Sequence, residues 1–232
     1  MMGYDIREVL PEVFRIPVPL EGNPLKELNS YLFRGSREAK QRNLLVDTGF
    51  RTEGCKKALL KGLGQLGVSM EHTDILLTHL HADHSGNAPE LIRPGGRVYI
   101  SREDYRFMDG TLQEHRSERF RENGIEESLL QAMLACTPSR TMAAPFSFRD
   151  YTLLEEGDVI SAGRYTLRAI WTPGHTPGHF CFEVCGTGAM LLGDHVLFDI
   201  TPNITDWWDV PDSLGDYLRS LDKLAAYSVT MP

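Results

Sequence analysis

Basic side chains are in the minority here: 24 Lys and Arg stand against 32 Asp and Glu, a net charge of −8 over 232 residues. That balance argues against a nucleic-acid groove, which needs a basic footprint. No apolar run approaches the roughly 20 residues that a membrane-spanning helix requires. The first fifteen residues carry Asp5, Glu8 and Glu12 and lack a continuous apolar core, so they do not read as a signal peptide. Cysteine is also sparse. Cys55, Cys136, Cys181 and Cys185 form no dense framework, and a disulfide scaffold is excluded. Cys181 and Cys185 lie in or beside the apolar run 180–184, where a free thiol behaves as a small buried hydrophobe. A C-x-x-x-C metal or redox pair is the sharper alternative. Cytoplasmic residence is the default expectation.

What remains is an ordinary globular composition, 41% hydrophobic and 24% charged, in a chain long enough for one domain with a full core. No linker, repeat or low-complexity stretch divides it. Short strands are expected at 12–19, 30–34 and 42–47, followed by a helix over 52–66 with Ala58, Leu59, Leu63 and Leu66 at helical spacing. Gly62-Leu63-Gly64-Gln65-Leu66-Gly67 matches G-x-G-x-x-G, but the helix precedes it and the strand follows. That order is the reverse of a dinucleotide site, and the glycines read as a helix terminator. Residues 102–144 turn charged and helical between a strand at 97–100 and strands resuming near 148–154, 165–171, 180–184 and 189–192. The segment 211–227 reads as an amphipathic helix, with Leu214, Tyr217, Leu218, Leu221 and Leu224 on one face. A final strand is expected from Ser228.

The chemistry concentrates in six residues, His79-Leu80-His81-Ala82-Asp83-His84, directly after the apolar run Ile75-Leu76-Leu77-Thr78. Three imidazoles and a carboxylate in one loop supply metal ligands, suited to Zn²⁺ and also to Fe or Mn. A metalloprotease helix spaces its two His at i and i+4. His79 and His81 are instead at i and i+2, as at a strand end, where alternate side chains share a face. They would grip one ion, while Asp83 and His84 face a neighbouring position. The spacing invites two metals.

These residues resemble the signature His-x-His-x-Asp-His of the metallo-β-lactamase-fold hydrolases, and further segments recur in the family's order along nearly the whole chain. Leu45-Val46-Asp47-Thr48-Gly49 resembles the early strand ending in a buried Asp beneath the metals. Thr172-Pro173-Gly174-His175-Thr176-Pro177-Gly178-His179 resembles the segment supplying the next ligand, and Leu192-Gly193-Asp194 the strand end whose Asp bridges two ions. The resemblance implies an α/β fold, a four-layer αββα sandwich of two facing mixed sheets with helices outside and the metals at one edge. The helical stretch 102–144 is then an insertion beside the metal mouth. Metal one takes His79, His81 and His175; metal two takes Asp83, His84 and the shared Asp194. The family supplies a last His to metal two after a late strand, whereas this chain ends Ser228-Val229-Thr230-Met231-Pro232. The expectation is one domain over 1–232, shortened relative to a longer protein, with metal two held less securely than metal one.

Several nearby residues stay ambiguous at this level. Asp47 either supports a ligand His or simply forms the turn at Thr48-Gly49. His179 points toward the metals only if the Pro177-Gly178 turn allows it. His195, next to Asp194, should face the opposite way in an extended segment. Trp207 and Trp208 either wall the pocket or cover the core. His115 reads as solvent-exposed.

The leading expectation is a cytoplasmic metal-dependent hydrolase acting on a small-molecule ester, thioester or lactone, with two Zn²⁺ (Fe or Mn as alternatives) and Asp83 orienting the attacking hydroxide. The resemblance is nearest to the glyoxalase II and lactonase-like branches, through the Thr-Pro-Gly-His-Thr-Pro-Gly-His segment. The glutathione-binding residues of glyoxalase II lie largely in a C-terminal region absent here. One alternative is a mono-iron oxidoreductase like the persulfide dioxygenases, which share Thr-His-x-His-Ala-Asp-His. Others are a phosphodiesterase or nuclease, disfavoured by the acidic balance, and a vestigial site, disfavoured because every first-metal ligand is present. Neither substrate nor oligomeric state is specified by the sequence.

Overall fold

A computed structural model describes residues 5–109, 111–136 and 141–231. Positions 110 and 137–140 of the expected insertion, the first four residues and Pro232 lie outside that set. Eleven strands among the described residues form two sheets. The first contains β1 (Arg7–Leu10), β2 (Val13–Pro19), β3 (Glu27–Phe33), β4 (Asn43–Val46), β5 (Thr73–Leu76), β6 (Val98–Ser101) and β7 (Thr152–Leu154), in sequence order across the sheet. It is antiparallel up to β4 and parallel from β4 to β7. The second orders β11 (Ala189–Leu191), β10 (Phe180–Val184), β9 (Tyr165–Trp171) and β8 (Val159–Ala162), antiparallel throughout.

The four layers follow from the two-residue period of the strands. Along β4, Leu44 and Val46 enter the core between the sheets, while Leu45 faces outward to a helix-covered core. Along β10, Phe180, Phe182 and Val184 face inward, and Cys181 faces out beside Leu224 of the last helix. Helix α1 (Glu53–Gln65) covers the first sheet with Cys55, Ala58, Leu59 and Leu63. Thr52 caps it by accepting from the backbone N–H of Cys55 at 3.4 Å. Its glycines are packing and termination devices: a Cβ on Gly62 would sit 2.7 Å from Ile16, and Gly67 leaves the helix at φ +66°.

Short helices α2 (Ala82–Ser85) and α3 (Ala88–Leu91) follow β5, and α4 (Arg102–Arg106), α5 (Thr111–Glu122) and α6 (Glu127–Ala135) fill the stretch expected to be helical. Helix α7 (Ser213–Ala225) covers the second sheet. Its leucine face docks only in part. Leu224 and Ser220 are buried, but Leu214 and Leu218 are 58% and 53% exposed, contrary to the expectation that the whole stripe packs. The helix meets the sandwich along the Ser220–Leu224 side, where Ser220 donates to the carbonyl of Pro173, so the leucines a turn away turn outward. Beyond α7, the strand expected from Ser228 is reduced to a single parallel bridge between Met231 and Ala189 of β11, with 228–230 outside any strand.

Parallel pairing puts the ends of β4 and β5 at one edge, and β9 and β11 deliver their loops to the same edge. The backbone N–H of Phe180 donates to the carbonyl of Thr78, stitching the two sheets together there.

Candidate metal centre

The foundation of the site is the residue after β4. Asp47 turns the chain at φ +59°, a left-handed conformation that Asp tolerates better than most residues. Its carboxylate accepts from the backbone N–H of Thr78 at 2.9 Å, the Thr78 hydroxyl at 2.8 Å and Nδ1 of His84 at 2.8 Å. It therefore forms the turn and supports a histidine at once. A carboxylate only accepts here, so His84 carries its proton on Nδ1 and presents Nε2 to the site.

His79, His81 and His175 gather on one side. His81 Nδ1 lies 3.1 Å from His79 Nε2 and 2.9 Å from His175 Nε2, although His175 is 94 residues away in sequence. The loop after β9 fixes His175: its Nδ1 donates to the carbonyl of Asn203 at 2.7 Å, leaving Nε2 as a lone-pair donor. Burial first, and the surrounding imidazoles second, hold His79 well below its ordinary pKa. Burial also lowers His175. Both rings are thus neutral at physiological pH, the form that binds metal. Bare lone pairs this close repel one another, whereas around a tetrahedral zinc, with bonds of about 2.05 Å, ligand nitrogens sit about 3.3 Å apart. The three histidines fit a cation.

A second compact set comprises His79, His84 and Asp194, all three donor atoms lying within 4.8 Å of one another. Asp194 links the two sets: Oδ1 is 3.3 Å from His84 Nε2 and Oδ2 is 3.6 Å from His175 Nε2. Burial would raise the Asp194 pKa, but the neighbouring His84 ring, with His175 behind it, overrides it and holds the carboxyl well below the usual range. For His84, burial opposes the charged ring, yet Asp194, Asp47 and Asp83 together raise its pKa well above the ordinary value. Asp83 lies at the rim, its carboxylate 3.9 Å from His84 Nε2 and outside the compact set.

The ambiguous residues resolve here. His179 is buried and supports the site from behind: Nδ1 pairs with the Thr172 hydroxyl at 2.9 Å, and Nε2 accepts from the backbone N–H of Asp194 at 3.2 Å. Gly193 makes that contact feasible, since a Cβ there would come within 2.5 Å of the His179 ring. His195 does face away, packed at a tilt of 54° against Tyr217 with both ring nitrogens buried and without a hydrogen-bond partner. Trp207 is buried against His81, rings 6.0 Å apart, so it walls the metal centre. His115 is half-buried and stacks on Trp208 at 4.1 Å, which corrects its expected exposure.

One residue carried no local signal. Asp104, in α4, is fully buried and accepts from the backbone N–H of Leu80 at 2.8 Å, the Thr176 hydroxyl at 2.9 Å and the N–H of Gly178 at 2.7 Å. It ties the His79–His81 loop to the His175 loop. Burial pushes its carboxyl up to about 7 against the pull of those donors. Gly178 is required for this approach, because a Cβ there would lie 2.1 Å from Ser101 Oγ. In sequence, Asp104 is one charge among many in a helical run.

Comparison with known proteins agrees with the geometry. The family model described as metallo-beta-lactamase superfamily matches residues 27–231. A lactamase-like protein adaB of Aspergillus niger is 28% identical over 95% of this chain and 53% of its own length. An atrochrysone carboxyl ACP thioesterase of Pseudocercospora fijiensis is 24% identical over 95% of this chain and 50% of its own. This chain therefore spans about half the length of the curated relatives it matches. Among solved structures, a metallo-beta-lactamase family protein of Thermus thermophilus superposes with a TM-score of 0.80 at 32% identity, covering 96% of this chain and 72% of that one.

Proposed function

This chain belongs to the metallo-beta-lactamase superfamily, and we propose that it is a metal-dependent hydrolase of thioesters or related activated acyl esters and lactones, loaded with zinc. The observation that carries the reading is the Asp194 carboxylate, one oxygen toward His84 and the other toward His175. Such a group can hold two ions side by side. His79, His81 and His175 would hold the first ion; His84 and Asp194, with Asp83 at the rim, would hold the second. An ion in this donor set supplies a hydroxide nucleophile at neutral pH and draws charge from a substrate oxygen.

The protein's own groups supply the rest. Asp47 and the Asn203 carbonyl fix which nitrogen His84 and His175 present. Asp83, 3.9 Å from His84 Nε2, would orient the attacking hydroxide. Trp207 and Phe107, packed edge to face at 5.4 Å, exclude water from the flank behind His81. Two relatives named as atrochrysone carboxyl ACP thioesterases support the thioester choice within the acyl substrates.

The test is a panel of model thioester, ester, lactone and phosphodiester substrates offered to zinc-loaded protein. Thioester or ester cleavage lost in His81→Ala supports the proposal. Cleavage of the phosphodiester alone, or no cleavage with both ions bound, refutes it. His79 borders both donor sets, which leaves a single-ion oxidoreductase as the second reading. Metal counting separates them: one iron per chain with oxygen consumption would favour that reading.

A further inference from the structure

The four residues Asp206-Trp207-Trp208-Asp209 form a strap whose two ends are fastened to the helical segment and whose centre presses on the metal ligands. Asp206 pairs with Arg119 of α5, and Asp209 with Arg106 of α4 at 3.3 Å. Between them the outer indole, Trp208, stacks on His115 of α5 with centroids 4.1 Å apart and planes 24° apart. The inner indole, Trp207, lies near parallel to the His81 ring at 27° and donates from Nε1 to the carbonyl of His175 at 3.3 Å. Phe107, at the end of α4, contacts both indoles at 5.4 and 6.3 Å. Four residues before Trp207, the Asn203 carbonyl sets the His175 tautomer.

We infer that this strap is a positioning device by which the α4–α5 segment sets two of the three first-metal histidines, with Trp207 as its positioning residue. Asn203 and Trp207 act on the ring and the backbone of His175, and Trp207 also backs the His81 ring. The inference rests on the metal-site reading above but not on the reaction. Groups that hold metal ligands from outside are typically worth tenfold to a hundredfold in metal affinity, and a stacked indole with one hydrogen bond belongs in that range.

The test reads metal binding rather than turnover. Zinc affinity is measured by competition with a chelator, and the ligand field by the visible absorption of the cobalt-substituted protein. Trp207→Ala should weaken the first ion about tenfold or more and shift the cobalt spectrum, and Trp207→Phe, which keeps the stack, should recover most of the affinity. Trp208→Ala, which releases the strap from His115, should weaken it in the same direction by about threefold. Wild-type affinity and spectrum in Trp207→Ala would overturn the assignment, and an unaffected Trp208→Ala would overturn the link to the helical segment. Should Trp207→Ala fail to fold, the parent protein still decides. With Trp171→Phe removing the remote indole among three, zinc addition must change the tryptophan emission, and Trp207→Phe must abolish most of that change. Emission indifferent to zinc would refute the proposal. If affinity shifts as expected while no ester is cleaved, the strap stands and the hydrolase reading falls.

Discussion

Asp47 holds the Nδ1 proton of His84 at 2.8 Å, with both side chains buried. The same carboxylate anchors the backbone and hydroxyl of Thr78, one residue before the first histidine of the motif. Replacing it by Asn leaves one oxygen to serve three donors. Asp47→Asn should therefore weaken zinc binding by about tenfold to a hundredfold and cost about 1–3 kcal/mol of stability through the unpaired buried donors. Chelator competition and denaturant titration check the two effects separately.

His81 is the ring that closes the first-metal trio, 3.1 and 2.9 Å from its partners. His81→Ala should remove activity and most of the bound metal. His115→Ala should leave metal content at saturation unchanged, since His115 stacks on Trp208 and belongs to neither donor set. Elemental analysis decides; equal metal in parent and His81→Ala would contradict the assignment.

Asp194 belongs to the second donor set and only approaches His175 of the first, and Asp83 stands outside both, so the two ions should not bind alike. The three-histidine site should fill first and the Asp194 site at higher zinc. Asp194→Asn should abolish the second step and weaken the first by less than His81→Ala does. Calorimetric titration reads both steps, and a single step of two identical sites in the parent protein would be the contrary result.

His195 is buried with neither nitrogen paired, and burial depresses its pKa to about 4 from an ordinary 6.5. The unfolded chain then binds a proton between pH 6.5 and 4 that the folded chain refuses. Stability contributed by the neutral ring is fully present above pH 6.5 and is lost as pH falls toward 4, by roughly 2–3 kcal/mol. His195→Leu should remove that part of the acid sensitivity and, by deleting two unpaired polar atoms, cost little at pH 7. Denaturant midpoints of the metal-free proteins at pH 5 and 7 measure it: an unchanged difference between the two pH values in the variant would be evidence against a depressed His195.

The histidine loop could be read directly from the chain as a local cluster of ligand side chains, whereas Asp47, His175 and Asp194 were reached through the family resemblance of the short segments that carry them. β5 ends at Leu76 and the bends that follow it bring His79 and His81 to one point, and the apolar runs that make β4 and β10 announce themselves through burial on both faces. Helix α1 was equally legible, down to the glycines that stop it. Other features were decided by packing between distant parts. The α4 carboxylate that ties Leu80 to Gly178 spans 24 residues one way and 74 the other, and no spacing rule links such positions. The outward leucines of α7 depend on which side of the helix finds the second sheet. The seating of Trp207 on His81 and of Trp208 on His115 depends on where α4 and α5 come to rest beside the metal edge. The ligand residues are written in the chain as short motifs, whereas their convergence from positions 79 to 194 and the shell that aims them are assembled across it and exist only once the layers have packed.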